Sequence, residues 1–234
     1  MPRVLIWDLP VRLFHWMLTG LIAGALAISL LVKDSSPWFA YHSVLALIAV
    51  PLIVLRIVWG LVGTRHARFW SFAFSPKAVA KYVFDALRWR ETRHAGHNPG
   101  SAYFVFLMLI VPLVSVLSGY QLGQGNKQVK DFHEILAYVL LGLIGVHLVG
   151  IVLHTLRHRE FIALSMVDGK KHADASDAIR SSRPVAGMLL LLFAIGWGVM
   201  VWRGYDARQG VVRLPLIGTE IKVEETGFED EDLD

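Results

Sequence analysis

The sequence has no cysteine, so it holds no disulfide, no iron–sulfur cluster, no cysteine-ligated zinc and no cysteine-attached haem. It is also short of charge, with only 18% Asp, Glu, Lys and Arg against 55% hydrophobic residues. Soluble proteins carry roughly 25% charged residues, so the 234-residue chain does not read as a soluble enzyme. Five stretches lack any Asp, Glu, Lys or Arg: Leu13–Val32, Ser35–Leu55, Asn98–Asn126, Ile135–Leu156 and Pro184–Trp202. Each reaches the roughly 17–25 residues that a bilayer-crossing helix needs, and runs this long exclude the alternating pattern of a membrane barrel. The first is too long for the apolar part of a cleaved signal, and it runs into Lys33-Asp34 rather than a small-residue cleavage site, so it reads as a retained helix. The chain is thus expected to be an all-α integral membrane protein with five spans.

Basic residues set the expected orientation. Fifteen Lys and Arg fall at the N-terminus, between spans two and three, and between spans four and five; the opposite loops hold only Lys33, Lys127 and Lys130. The positive-inside rule then puts the N-terminus in the cytoplasm, and five spans put the C-terminus outside. The net charge of +4 is a topology signal, and no nucleic-acid partner is expected. Ser75-Pro76 is a helix-start signal, and Val79, Tyr82, Val83, Ala86 and Leu87 follow at helical spacing, so a short interfacial helix is expected before span three. After span five come nine acidic residues against four basic ones, read as an acidic external tail whose end, Glu229–Asp234, is disordered.

Ten histidines remain. A polar ring in hydrocarbon must find a partner, which makes an intramembrane histidine a functional candidate. His15 lies at the inner end of span one, His42 at the outer end of span two, His133 at the outer end of span four, and His147 deeper in span four. The 14 residues from His133 to His147 bring the helix back to within ~40° of the same face and ~21 Å along its axis. Antiparallel packing puts His42 at the depth of His133 and His15 nearer that of His147. Such facing pairs suit bis-imidazole ligation of a haem, and with both axial positions filled they favour electron transfer over oxygen binding. Only two histidines meet at each level, which suits zinc or copper less well. His154, on nearly the same face as His147, is the alternate ligand for His15, although it sits near the membrane boundary. His66, His94, His97, His158 and His172 fall in basic connections, where a solvated role is expected. Arg56 lies 14 residues after His42, and its guanidinium suits a haem propionate; a snorkelling cation is the other reading.

These residues resemble a known family, the bacterial cytochrome b561 group, which includes the membrane cytochrome b subunits of nickel–iron hydrogenases. The likeness is carried by Trp7-Asp8, Phe14-His15-Trp16, His42, Arg56 through Gly60, Gly63 through Phe69, Gly96 through Gly100, Ser118-Gly119-Tyr120 and Phe132-His133-Glu134 through His147 to His154, and covers about residues 4–172. The resemblance implies a four-helix core with two non-covalent b-type haems, His15 pairing with His147 and His42 with His133, and electron exchange with membrane quinone. It also implies a quinone pocket at Asn98 and Gly100 beside the inner haem; Asn98-Pro99-Gly100 reads equally as a helix start.

The expected architecture is a four-helix transmembrane di-haem bundle plus a fifth C-terminal helix: a cytochrome b561-like core over 1–172, a cytoplasmic linker and fifth helix over 173–202, and an acidic periplasmic tail over 203–234. The expected function is electron transfer between quinone, at the cytoplasmic-side haem, and a periplasmic c-type cytochrome or hydrogenase-like redox protein at the outer haem. Membrane lipid surrounds it, and a homodimer is a further option. A superoxide:quinone oxidoreductase is the alternative, with Lys127 and Lys130 as candidates for a basic funnel. A histidine-lined metal or proton carrier without haem is the second.

Overall fold

A computed structural model describes residues 1–88, 90, 94–214 and 218–223. Among the described residues, five long helices are apolar enough to cross a membrane: α1 (Leu9–Leu31), α2 (Ala40–Val62), α4 (Pro99–Gly123), α5 (Lys130–His158) and α7 (Pro184–Gly204). Between them lie α3 (Pro76–Leu87) and the single turn α6 (Ser165–Asp168). The chain is a mostly helical, multi-pass membrane protein.

Local chemistry sets the helix ends. α1 starts at Leu9, ahead of the charge-free run Leu13–Val32, because the Asp8 carboxylate accepts from the Val11 amide at 2.9 Å and Pro10 sits in the first turn. Asn98 caps α4 in a reciprocal capping box with Ser101. α3 starts at Pro76 as expected, and the Ser75 hydroxyl accepts from the Ala78 amide. Pro51 and Pro112 lie inside α2 and α4, where each removes one backbone donor.

The short turn after α1 makes α1 and α2 antiparallel neighbours, and α4 and α5 form a second hairpin. α4 packs on α2, while α7 packs on α1 and α2. α5 is the most outlying span and leans chiefly on α4; Leu140 is its one buried residue.

At the end that carries the N-terminus and the basic connections, β1 (Arg3–Leu5) pairs antiparallel with β2 (Lys170–His172), in the register Val4↔Lys171. Gly169, at φ +79°, turns its carbonyl onto the Ile6 and Trp7 amides, and a Cβ there would meet the Trp7 carbonyl at 2.6 Å. The connection between α5 and α7 is therefore structured over its first half.

At the opposite end the expected tail is folded over much of its described length. β3 (Tyr205–Asp206), β4 (Val211–Leu214) and β5 (Thr219–Lys222) form an antiparallel sheet in that order. Val212 and Leu214 bury against Ala40 and Val44 of α2 and Val201 of α7. The charge count gives only an acidic tail here, but the alternating apolar residues of Val211-Val212-Arg213-Leu214 supply an inward face, and Arg213 neutralises Asp206 and Glu220 across the outer one. The expected disordered stretch Glu229–Asp234 lies outside the described residues.

Candidate functional site

Four histidines from three spans meet in two pairs. The rings of His15 (α1) and His147 (α5) have centroids 6.5 Å apart, and those of His42 (α2) and His133 (α5) are 6.1 Å apart. Two imidazoles that share one metal ion through bonds of about 2 Å would have centroids about 6 Å apart, so both pairs fit a bis-histidine haem. His154 stands beside His158, 4.5 Å between centroids, and the ring that meets His15 is that of His147. Among the described residues, no three His, Asp or Glu side chains gather as a metal site.

The outer pair is oriented by backbone. With its proton on Nδ1, His42 donates to the Ala25 carbonyl at 2.9 Å, and His133 donates in the same way to the Ser115 carbonyl at 3.0 Å, beside the Ser118 hydroxyl. Both tautomers leave Nε2 for a metal. Gly119 permits this approach, since a Cβ there would lie 3.1 Å from His133 Cε1. In the inner pair, His15 Nδ1 is shielded and has no hydrogen-bond partner among the described residues. Leu26 of α1, Val111 of α4 and Leu140 of α5 form a buried apolar cluster with Ile22, Met108 and Ile144, and Leu140 lies midway along α5 between His133 and His147.

Arg56 is buried rather than snorkelling, at 6% exposure. Its Cζ lies 5.4 Å from the Phe69 ring centroid, and its Nη1 has no partner among the described residues. A shielded guanidinium with a spare donor at the His15 level is chemically matched to a carboxylate of a bound haem.

Asn98 Oδ1 accepts from the Ser101 amide at 2.7 Å, so the residue serves as a helix cap, and Gly100 lies under the Tyr82 ring. Both stand at the basic end, next to His97 in sequence.

Two histidines expected to be solvated are not. His66 is buried, with Nε2 on the Asp177 carbonyl at 2.8 Å. His97 lies between Trp7 (4.8 Å) and Phe72 (4.4 Å), and burial, followed by the positive charge of Arg56, lowers its pKa to about 3. Charge counting placed both in basic connections and could not see that Trp7, Phe72 and β2 close over them. Lys171 is a third buried polar group, pushed down to about 8 by burial, and its Nζ donates to the carbonyls of His94 and Gly96.

Asp8 was missed as a working residue. It is fully buried and accepts from the Val11 amide, from Trp59 Nε1 at 3.1 Å and from Thr64 Oγ1 at 2.6 Å, tying the start of α1 to the end of α2. An Asp just before Leu-Pro at a helix start was the available signal.

Residues 6–169 match the family model for prokaryotic cytochrome b561. The chain belongs to the prokaryotic cytochrome b561 family. It is a membrane cytochrome of the haem b, electron-transfer kind. Among its relatives, a probable Ni/Fe-hydrogenase B-type cytochrome subunit of Rhizobium leguminosarum bv. viciae is 26% identical over 214 residues, covering 72% of this chain and 88% of the relative. A protein of the same description from Bradyrhizobium diazoefficiens is 25% identical over 215 residues, covering 73% and 86%. No solved structure matches significantly.

Proposed function

We propose that this cytochrome holds two haem b groups and relays electrons between membrane quinone and a redox protein in the periplasm. His15 and His147 hold the haem on the basic, cytoplasmic side, and His42 and His133 hold the outer one. The observation that carries this reading is the pairing of four histidines at two levels, with centroid separations of 6.5 Å and 6.1 Å. Each haem, when bound, supplies a one-electron centre.

The protein's part is to fix ligands and shape the dielectric. Ala25 and Ser115 carbonyls fix the outer ring tautomers, and the Leu26, Val111 and Leu140 cluster excludes water between the levels. Arg56 offers its unpartnered Nη1 to an inner-haem carboxylate. Asn98 and Gly100 border the quinone pocket on the same side. The four-helix core over 1–172 carries the chemistry, and the fifth helix and its sheet, beside His42, form part of the outer surface. The relatives are named as hydrogenase subunits, which supports a hydrogenase-like partner at that surface. The superoxide alternative has less support, because Lys130, one of its two candidate cations, lies 4.0 Å from Glu134.

The test is stopped-flow mixing of the reduced protein with a soluble quinone in the absence of any partner. Rapid oxidation of both b-type absorbances is expected, and failure of quinone to oxidise either would overturn the quinone assignment.

A further inference from the structure

At the basic end, several side-chain donors are shielded from solvent with no partner among the described residues, Arg12 Nε and Arg68 Nε among them, and three come from segments that converge: Trp7 Nε1, Arg56 Nη1 and His97 Nε2. Native proteins rarely leave such groups unmet, and several in one neighbourhood call for an explanation. They do share a neighbourhood. The Trp7 and His97 rings are 4.8 Å apart, and both Arg56 and His147 lie close enough to act electrostatically on His97.

The local acceptor is already used. Both Asp8 oxygens are taken by Val11, Trp59 and Thr64, leaving nothing for Trp7 beside it. The donors are also held in place. His97 is gripped by Trp7 on one side and Phe72 on the other, and the Lys171 ammonium fixes the preceding backbone through the His94 and Gly96 carbonyls. Burial and the Arg56 charge keep the imidazole neutral, so with its proton on Nε2 it is a donor. Two buried cations, Arg56 and Lys171, outnumber the one buried carboxylate there, Asp8, and leave the region net positive. A rigid, donor-only, cationic cluster suits an acceptor-rich anion, and its closeness to His147 sets that anion beside the inner pair.

We propose that Trp7, Arg56 and His97 form a cradle for a carboxylate arm of the haem held by His15 and His147. This rests on the two-haem reading. Trp7 and His97 are positioning residues that add neutral donors to the Arg56 charge, and Lys171 acts behind them by fixing the loop.

The test is a redox titration of the purified holoprotein, with infrared reduced-minus-oxidised difference spectra after the haem carboxylates have been labelled with carbon-13. Trp7→Phe removes one N–H with little change of shape, His97→Leu removes another, and His97→Gln keeps a donor. Losing a donor leaves more negative charge on the carboxylate and favours the oxidised haem. Trp7→Phe and His97→Leu are therefore expected to lower the reduction equilibrium constant of the inner haem up to tenfold, about 59 mV for one electron. The labelled carboxylate band should move and the outer haem stay unchanged, with His97→Gln closer to wild type.

Unchanged potentials and bands in both variants, with haem retained, would overturn the cradle and assign the donors to water. The same null result with slower quinone oxidation would overturn it in favour of a quinone contact. Should a variant lose its haem, the labelled band of the wild type still decides, since a carboxylate frequency typical of a water-exposed group contradicts the cradle. Failure of the two-haem reading would look different, as a single haem per chain in the unmutated protein.

Discussion

His42 and His133 face each other with centroids 6.1 Å apart, and each ring turns its Nδ1 to a backbone carbonyl, Ala25 on α1 and Ser115 on α4. Three helices other than α5 thus set the geometry of this pair. The hydrogen bond to Ser115 makes the His133 ring a stronger electron donor to a bound iron and so favours a ferric over a ferrous ion. Gly119→Val would push the ring away from that carbonyl. The expected outcome is retention of haem with the outer midpoint raised by on the order of 60 mV, a tenfold change in reduction equilibrium. A redox titration checks it, and an unchanged outer potential would show that the Gly119 contact does not govern the ligand.

Asp8 is a separate point of vulnerability. Asp8→Ala removes a helix cap and leaves Trp59 Nε1 and Thr64 Oγ1 without their buried acceptor. A loss of roughly 2–4 kcal/mol is expected. Thermal unfolding in detergent measures it, and Asp8→Asn, which keeps an acceptor oxygen, should recover part of the loss.

Much of this was legible in the sequence, for identifiable reasons. Charge-free runs of helix length gave the five spans, since hydrocarbon tolerates little else. The 14-residue interval between His133 and His147 returns to one helix face, and their ring centroids lie 6.1 Å from that of His42 and 6.5 Å from that of His15. His66 and His97 went unnoticed because burial there comes from distant chain, Trp7 and Phe72 around His97 and the Asp177 carbonyl on His66. The outer sheet was masked by its charge: Arg213, Glu220 and Asp206 made a tail of what is a folded three-stranded sheet, its apolar face carried by Val212 and Leu214.

The low pKa of His97 has a pH consequence. The unfolded chain takes up this proton near 6.5, whereas the folded chain resists it until about 3. The stability this group contributes is fully present above about 6.5 and is lost as pH falls through that window. The melting temperature of the holoprotein should therefore decline between pH 7 and 5, with a shallower decline in His97→Leu. Parallel pH profiles would show that the imidazole is not the group responsible.

Asn98 both caps α4 and borders the proposed quinone pocket, and the two roles separate by choice of substitute. Serine is also a good cap, so Asn98→Ser should change the melting temperature little and keep the haem content. Loss of the amide is expected to slow haem oxidation by quinone about tenfold, corresponding to about 1.4 kcal/mol. Stopped-flow kinetics decide, and an Asn98→Ser protein as fast as wild type would leave the residue with its capping role alone.

The central claim is that four histidines hold two haems in one chain, and haem quantification per polypeptide tests it most directly. The pyridine haemochrome assay on purified protein should give two haem b per chain, falling to one in His15→Ala, His147→Ala, His42→Ala and His133→Ala taken singly. Residual potentials should sort these variants into two pairs. A single haem in the wild type, or substitutions at His42 or His133 that leave the content unchanged, would contradict the account.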